Sequence, residues 1–335
     1  MVLEIMAAFI RHSLNQSCKE ALMLKDCGSG FFLLPGNKSS NIYFIQQKDA
    51  IIIDTGHPHQ AAENLNCLKE FGIAKNDVKY IINTHSHPDH VGGNIEFLNY
   101  FSDAQIINSK KTKPYIKKKK SYALYEDIED AAECYPIHIE VTDTEELKLG
   151  SRTFKIIETP GHTADSVSIA CEEEELLFSG DTLYQNIIPQ VDYYNDLPFS
   201  LGQLRDSYGK LKAKKYKKIF PGHGSPFENS DKVFAALHRK IEKFTENPQF
   251  LLINTICPLI ELYLKKNPGK TIQQIVSIFG EYLNRPVSAN LWPTFKNADF
   301  RDSVEKALIL MKAMNILTIN GSDEFFLAGE LNEHL

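Results

Sequence analysis

The decisive stretch of this sequence is Thr84-His85-Ser86-His87-Pro88-Asp89-His90, in which three histidines fall within six consecutive residues. It follows Val78–Ile82, a β-branched and apolar run that predicts a short buried strand. Pro88 and the pair Gly92-Gly93 then predict a turn at the end of that strand. Because imidazole and carboxylate groups are the usual ligands of Zn²⁺, Fe²⁺ and Mn²⁺, the stretch predicts a metal site there.

Three further candidate ligands stand in equivalent positions later in the chain. Each follows a short apolar run and has a glycine beside it, and the three are His162, Asp181 and His223. Glycine at such a place permits a tight turn and a close approach of the backbone. We therefore expect several strand ends to converge on one rim, where rigid elements hold the ligands. Separate surface histidines in polar loops are the alternative, and the repeated placement argues against them.

These residues resemble the signature of the metallo-β-lactamase superfamily, H-x-H-x-D-H, which is matched at positions 85, 87, 89 and 90. Its later elements are matched by Thr-Pro-Gly-His-Thr around His162, Ser-Gly-Asp-Thr-Leu around Asp181 and Pro-Gly-His-Gly around His223. Residues 51–56 resemble its strand that ends in a structural aspartate. The resemblance covers about residues 28 to 245. It implies an α+β fold, the αββα sandwich of two sheets packed face to face between helices.

The resemblance also implies a centre of two divalent metal ions, with Zn²⁺ expected and Fe²⁺ or Mn²⁺ as alternatives. It assigns one ion to His85, His87 and His162. It assigns the other to Asp89, His90 and His223, with Asp181 bridging the two ions.

Two aspartates receive further roles from the same resemblance. Asp89 would be the catalytic residue, which orients the metal-bound hydroxide or takes its proton. Asp54 would lie behind the ligands and accept a hydrogen bond from a ligand imidazole, which fixes the tautomer of that ring.

At some positions this sequence differs from particular branches of the superfamily, and these differences reduce the number of reactions to expect. True β-lactamases replace either the histidine at position 90 or the aspartate at position 181, and both are present here. Flavodiiron proteins carry glutamate where His87 stands. Persulfide dioxygenases keep much the same motif around one iron, so redox chemistry at iron stays open. Hydrolysis is the favoured reaction class.

Composition predicts a folded protein with a sizeable core, since the 335 residues are 43% apolar. The net charge of −6 argues against wholesale attraction to nucleic acid. Six cysteines without C-x-x-C spacing indicate free thiols in a reducing cytoplasm. The apolar first ten residues lack a preceding basic region and are too short for a bilayer. We therefore expect a packed N-terminal segment, no membrane association and a cytoplasmic location.

The chain divides into two predicted domains, a catalytic domain over residues 1–245 and a C-terminal domain over residues 246–335. The first alternates strands, such as 41–46 and 50–54, with helices, such as 60–71. The second begins with a helix over 250–266, which Pro258 is expected to kink or break. Two further helices and a β-ribbon follow. This mostly helical order resembles a small winged-helix domain.

Two stretches between the ligands resemble insertions. Residues 110–135 are rich in Lys, Tyr and Glu and are expected to form helices over one edge of the site. Residues 183–199 supply candidate substrate contacts, although these tyrosines could instead only pack the loop; the candidates are Tyr184, Tyr193, Tyr194 and Asn195. Lysine runs at 110–120 and 212–218 fit either a solvated surface or a patch for an anionic substrate.

The sequence supports three functions. The first is hydrolysis of a small ester, thioester or lactone, which makes a small molecule the expected partner. The second is endoribonuclease cleavage of single-stranded RNA, in which lysines would bind phosphates and tyrosines would stack on bases. The third is a regulatory or binding protein that retains its metal with little turnover. The oligomeric state is left open.

Overall fold

The computed structural model describes residues 23–36, 39–117, 134–191, 197–283 and 300–328. Its first sheet has seven strands, which are β1 Lys25–Asp26, β2 Phe31–Leu34, β3 Ile42–Ile45, β4 Ala50–Ile53, β5 Val78–Ile82, β6 Gln105–Ser109 and β7 Ile139–Val141. They lie side by side in chain order. Neighbours from β1 to β4 are antiparallel, whereas β4, β5, β6 and β7 run parallel.

The second sheet has six strands, which are β8 Glu146–Leu149, β9 Arg152–Glu158, β10 Val167–Cys171, β11 Leu176–Gly180, β12 Lys218–Pro221 and β13 Phe227–Glu228. They too lie in chain order across the sheet. Neighbouring strands are antiparallel except for β11 and β12, which are parallel. As a result β9, β11 and β12 all end at the same edge of this sheet.

The space between the sheets is filled by apolar side chains, as the alternation along β4 illustrates. Ile51 and Ile53 belong to the core between the sheets, whereas Ala50 and Ile52 belong to the core beneath the outer helices. Successive side chains of a strand point to opposite faces, so a strand buried on both sides is apolar throughout. The continuous apolar run of β4 is therefore explained by its position inside the sandwich.

Helices cover the outer face of each sheet. They are α1 Ala61–Glu70, α2 Pro88–Val91, α3 Asn94–Tyr100, α4 Lys113–Lys117, α5 Leu197–Lys212 and α6 Asp231–Glu246, with 3₁₀ turns at Pro58–Gln60 and Glu172–Glu174. Leu65 of α1 and Phe97 of α3 pack on the first sheet. Leu204 of α5 and Leu237 of α6 pack on the second. The order helix, sheet, sheet, helix confirms the predicted αββα sandwich.

The remaining chain is mostly helical. Its elements are α7 Pro248–Lys266, β14 Lys270–Thr271, α8 Ile272–Leu283, α9 Phe300–Ala313, β15 Leu317–Ile319 and β16 Glu324–Leu327. Strand β16 lies between β14 and β15 and is antiparallel to both. Helix α7 runs without interruption through Pro258, so the alternative of a break there is wrong. Leu308 of α9 and Leu204 of α5 belong to one continuous apolar core.

The described elements agree closely with the predicted ones. The helix expected over 60–71 is α1, and the strands expected over 41–46 and 50–54 are β3 and β4. Within the 110–135 stretch, α4 is the helix in the part that the structure describes. The expected packed segment of the first ten residues lies outside the described residues. None of the described helices is long and apolar enough to cross a bilayer.

Replacing Phe178 with alanine should lower the free energy of unfolding by about 3–5 kcal/mol, because the change leaves a cavity between the sheets. Phe178 is 0% exposed, and its ring stacks on that of Phe220 at 4.9 Å between centroids. Urea denaturation followed by circular dichroism measures the loss. The matched control is Ile309→Ala, at a side chain that is 68% exposed, which should cost less than about 1 kcal/mol. Equal losses from the two changes would contradict this account of the core.

Candidate metal centre

The candidate ligands lie at one rim, where strands from both sheets end. In the first sheet β4 leads into Asp54, and β5 leads into the 85–90 segment. In the second sheet β9, β11 and β12 lead into His162, Asp181 and His223. The parallel pairs β4/β5 and β11/β12 bring successive carboxyl ends to the same edge, so residues distant in sequence become neighbours in space.

Three histidines form what we name the three-histidine subsite, which consists of His85, His87 and His162. Their candidate ligand nitrogens lie within 4.8 Å of one another, and His162 Nε2 is 2.9 Å from His87 Nδ1. The Nδ1 of His162 lies 2.6 Å from the carbonyl oxygen of Gln190. Since a carbonyl only accepts, this Nδ1 carries the proton and the Nε2 lone pair faces the other two rings.

A second group, the aspartate–histidine subsite, consists of Asp89, His90 and His223. Asp89 Oδ2 lies 3.1 Å from His223 Nε2 and 3.7 Å from His90 Nε2. Asp89 and His90 stand in the short helix α2, for which His87 is the N-cap residue. One tight turn thus contributes residues to both subsites.

Asp181 lies between the two subsites. Its Oδ2 is 3.5 Å from His162 Nε2 and 3.5 Å from His223 Nε2. Its Oδ1 is 3.3 Å from His90 Nε2. The carboxylate therefore contacts one histidine of the first subsite and both histidines of the second.

Asp54 lies behind His90 and is 1% exposed. Its Oδ2 accepts hydrogen bonds from His90 Nδ1 at 2.8 Å and from the Thr84 hydroxyl at 2.8 Å. Its Oδ1 accepts from the Thr84 backbone N–H at 2.8 Å. Because Asp54 holds the Nδ1 proton of His90, the Nε2 of that ring is directed toward Asp89 and Asp181.

Thr84 also contributes to the centre, although no role for it was predicted from the sequence. Its hydroxyl oxygen lies 3.1 Å from His85 Nδ1 while its proton goes to Asp54. The hydroxyl is then an acceptor for His85 Nδ1–H, which leaves the Nε2 of His85 facing the site. The one signal in the sequence was the position of Thr84 directly before His85.

Electrostatic surroundings divide the histidines into two sets. Burial, followed by the His90 and His87 imidazoles, holds the pKa of His85 well below its usual range. Burial also opposes protonation of His223, but the carboxylates of Asp181 and Asp89 raise its pKa to about 10. The pKa of His87 is lowered in the same way, so both His85 and His87 offer neutral imidazoles. In the aspartate–histidine subsite, protons on the histidines offset the negative charge of the carboxylates. A bound cation would replace those protons.

Buried atoms without partners show that these residues fit a metal. Within the described ranges, three buried side-chain atoms of the site make no hydrogen bond, namely His85 Nε2, His90 Nε2 and Asp181 Oδ1. Buried polar atoms are normally hydrogen-bonded, so three such atoms at one rim require an explanation. A cation supplies it, and imidazole with carboxylate is a donor set that suits Zn²⁺, Fe²⁺ or Mn²⁺.

Glycine at two of the turns allows the backbone to approach the ligands closely. A Cβ at Gly222 would lie 2.1 Å from Asp181 Oδ1 and 2.8 Å from His90 Cε1. Gly180 has a φ of 49°, and a Cβ there would lie 2.7 Å from Thr84 Cβ. Any side chain at position 222 would therefore displace Asp181 from its place between the subsites.

The predicted substrate contacts are only partly within the described residues. Tyr184 is 7% exposed, and its phenol is close enough to Asp181 that the carboxylate charge, after burial, raises the pKa of Tyr184. It therefore lies at the centre rather than out on the loop surface. Tyr193, Tyr194 and Asn195 lie outside the described residues.

Replacing Gly222 with alanine should weaken metal binding about 10–100-fold, because the new methyl group would push Asp181 out of position. Metal content after dialysis against dilute metal, measured by plasma mass spectrometry, checks this. The control is Gly209→Ala in α5, where a Cβ would meet nothing within 4 Å, and it should keep the wild-type metal content. Full metal retention by the Gly222 variant would contradict the geometry described above.

Comparison with known proteins agrees with the fold. Residues 35–223 match the metallo-beta-lactamase superfamily. The chain is 33% identical over 193 residues to a beta-lactamase-like protein 2 homolog of Caenorhabditis elegans, with 57% of each protein covered. It is 30% identical over 148 residues to a hydroxyacylglutathione hydrolase of Prochlorococcus marinus, with 42% of this chain and 49% of that protein covered. The chain thus spans about half the length of these two relatives.

A solved structure extends the similarity in fold over most of the chain. A metallo-beta-lactamase family protein from Thermus thermophilus superposes with a TM-score of 0.54 at 19% identity, covering 90% of this chain and 100% of that one. The superfamily match takes in more than half of the chain and includes all seven candidate ligands. This chain belongs to the metallo-β-lactamase superfamily.

Proposed function

We propose that the chain is a hydrolase with two divalent ions, one in each subsite, which attacks a small ester, thioester or lactone. The observation that carries the proposal is the position of Asp181, whose Oδ2 lies 3.5 Å from a histidine of each subsite. A carboxylate so placed can bridge two ions. A bridged pair of ions, when bound, supplies hydroxide at neutral pH and polarises the oxygen of the scissile group.

We assign Zn²⁺ to both subsites as the first candidate, with Fe²⁺ and Mn²⁺ compatible with the same donors. His85, His87 and His162 would hold one ion. Asp89, His90 and His223 would hold the other, with Asp181 shared between them. Asp54 would fix the His90 ring from behind through its 2.8 Å hydrogen bond.

Asp89 is the residue that we propose as catalytic. Its side chain is 22% exposed, whereas that of His90 beside it is 0% exposed, so the carboxyl lies toward solvent at the rim. Burial opposes its ionisation, but the imidazoles of His90 and His223 hold the pKa of Asp89 well below its usual range. The group is then a carboxylate at neutral pH, able to orient the attacking oxygen and accept its proton.

Tyr184 is the residue that we propose to contact the substrate. Burial, followed by the Asp181 charge, holds the pKa of Tyr184 well above its usual range, so the phenol keeps its proton. A fixed O–H donor beside the bridging carboxylate could polarise a substrate carbonyl. Tyr193, Tyr194 and Asn195 remain predictions for the same wall of the site.

The choice of an ester, thioester or lactone over RNA rests on charge and on similarity. In the lysine run 212–218, Lys214 pairs with Glu172 at 3.3 Å and Lys217 pairs with Glu175. These lysines are neutralised by the turn before β11, so they do not form an open patch for phosphates. The similarity to a hydroxyacylglutathione hydrolase supports hydrolysis of a small molecule.

We also propose that residues 246–335 form a winged-helix-like domain after a catalytic domain of residues 1–245. Helices α7, α8 and α9 are followed by the antiparallel pair β15 and β16, and β14 pairs with the other side of β16. That arrangement supports the assignment. The shared apolar core would dock the domain against α5 and α6.

Replacing Asp89 with asparagine should reduce turnover of the zinc-loaded enzyme at least about 10²-fold, because the carboxylate acceptor is lost. Initial rates on a panel of esters, thioesters and lactones measure this, with a labelled single-stranded RNA at low and high salt in the same series. The control is Asp103→Asn, which removes a surface pair with Lys79 and should leave the rates unchanged.

Each outcome of that panel decides between the functions. Turnover of a small substrate that depends on Asp89 supports the proposal. RNA cleavage that depends on Asp89 and fades with salt would replace it with a nuclease. No turnover of any substrate by the metal-loaded wild type would favour a binding protein instead.

A further inference from the structure

A hydroxyl group beside the candidate bridging aspartate connects two of the loops that carry ligands. Thr182 directly follows Asp181, and Thr159 lies three residues before His162. The Thr182 Oγ1 lies 2.9 Å from the Thr159 Oγ1 and donates to the Thr159 carbonyl oxygen at 3.2 Å. Both side chains are fully buried. The turn that carries Asp181 is therefore tied to the segment that carries His162 by a side chain of the turn.

The hydrogen bonds around Thr159 run in one direction. A carbonyl oxygen only accepts, so the Thr182 proton goes to the Thr159 carbonyl and the Thr159 hydroxyl donates to the Thr182 Oγ1. The buried Ser168 hydroxyl of β10 lies 3.1 Å from the Thr159 Oγ1 and is then the donor to it. Three buried hydroxyls thus form a chain, in which each hydrogen bond strengthens the next. This chain fixes the distance between the two loops.

On the side of His223, the same turn is held by its backbone. The backbone N–H of Gly222 donates to the carbonyl oxygen of Gly180 at 2.7 Å. Within the turn, the Thr182 backbone N–H donates to the carbonyl oxygen of Ser179 at 3.1 Å. A change of the Thr182 side chain leaves these two bonds in place and removes the tie to the His162 segment.

We infer that Thr182 is a positioning residue that keeps Asp181 within reach of the three-histidine subsite. The inference rests on the proposed two-metal function and deepens it. Asp181 Oδ2 lies 3.5 Å from His162 Nε2, and the Thr182 hydroxyl joins the segments that carry these two side chains. Without the hydroxyl, the bond to Gly222 should keep Asp181 with the aspartate–histidine subsite while the carboxylate moves away from His162. Loss of a group that orients a metal ligand typically costs about 10–100-fold in metal affinity.

The aspartate–histidine subsite has support that does not involve Thr182. The Thr55 backbone N–H donates to the carbonyl oxygen of His90 at 2.7 Å. Around His223, Asn41 Nδ2 donates to the carbonyl oxygens of Pro221 at 3.0 Å and Gly224 at 2.7 Å. Loss of the Thr182 hydroxyl should therefore affect one ion more than the other.

Three variants isolate the Thr182 hydroxyl. Thr182→Val removes the hydroxyl and keeps a branched side chain of similar size, whereas Thr182→Ser keeps the hydroxyl. The matched control is Thr112→Val, the same change at another fully buried hydroxyl. That hydroxyl donates at 2.9 Å to Asp165, a carboxylate that is not among the candidate ligands. The control measures what the loss of a buried hydrogen bond does to the domain in general.

The test is titration of the metal-free full chain with Co²⁺ for the wild type and each variant. Native mass spectrometry counts the ions, and hyperfine-shifted N–H signals in NMR show which subsite is filled. The Nδ1–H of His162, donated to the Gln190 carbonyl, reports the three-histidine subsite. The Nδ1–H of His90, donated to Asp54, reports the other. Circular dichroism and the urea midpoint check the fold.

The wild type should bind two ions. Thr182→Val should weaken the ion reported by His162 about 10–100-fold and spare the ion reported by His90. Thr182→Ser should bind both ions like the wild type, and Thr112→Val should lower the urea midpoint without changing metal binding. If Thr182→Val fails to fold, Thr159→Val is a milder version, because the Thr182 bond to the carbonyl of residue 159 remains. It should weaken the same ion by a smaller factor, and unchanged binding would count against the inference.

Equal weakening of both ions by Thr182→Val, or no weakening of either, would overturn the inference while leaving the two-metal centre intact. The same loss in Thr112→Val, or no recovery in Thr182→Ser, would overturn it too. A wild-type chain that binds fewer than two Co²⁺ ions would overturn the proposed centre and the inference with it. The two kinds of failure are therefore distinguishable in one titration.

Discussion

The candidate centre straddles two separate sheets, so it depends on the packing that holds those sheets face to face. Phe178 and Phe220 stack at 4.9 Å in the second sheet, and both meet the Tyr43 ring of the first sheet edge-on. The strands that carry these two phenylalanines lead directly into Asp181 and His223. The geometry of the site therefore depends on the packing of the core, because any shift between the sheets would separate the ligands that follow strands of the first sheet from those that follow strands of the second.

This packing brings together groups that resist burial. Among the residues that the structure describes, His85, His90 and Asp181 each have a buried polar atom that makes no hydrogen bond. Such an arrangement is unfavourable in the absence of a cation. Bound metal would satisfy these atoms and stabilise the folded chain by mass action. Asp54 and Thr84 orient the rings in advance, so little rearrangement should accompany binding.

Much of this could be predicted from the sequence, because the signals are local. The strand and helix bounds follow apolar periodicity, as in the helix expected over 60–71 and found at Ala61–Glu70. The histidine motif is contiguous in the chain. Contacts between distant segments could not be predicted. The hydrogen bond from Asn41 to the Pro221 carbonyl joins residues 180 apart in the chain. The crowding at Gly222 involves Asp181. Two lysines of the run 212–218 pair with glutamates of a turn that lies well before it in the chain.

The central claim is that Asp181 lies between two metal ions. Anomalous difference diffraction from crystals of the zinc-loaded chain, collected on both sides of the zinc absorption edge, tests it most directly. The account predicts two peaks about 3.5–4 Å apart, one against His85, His87 and His162 and the other against Asp89, His90 and His223. The Asp181 carboxylate should reach both. A single peak at full zinc loading, or a second peak that Asp181 does not contact, would contradict it.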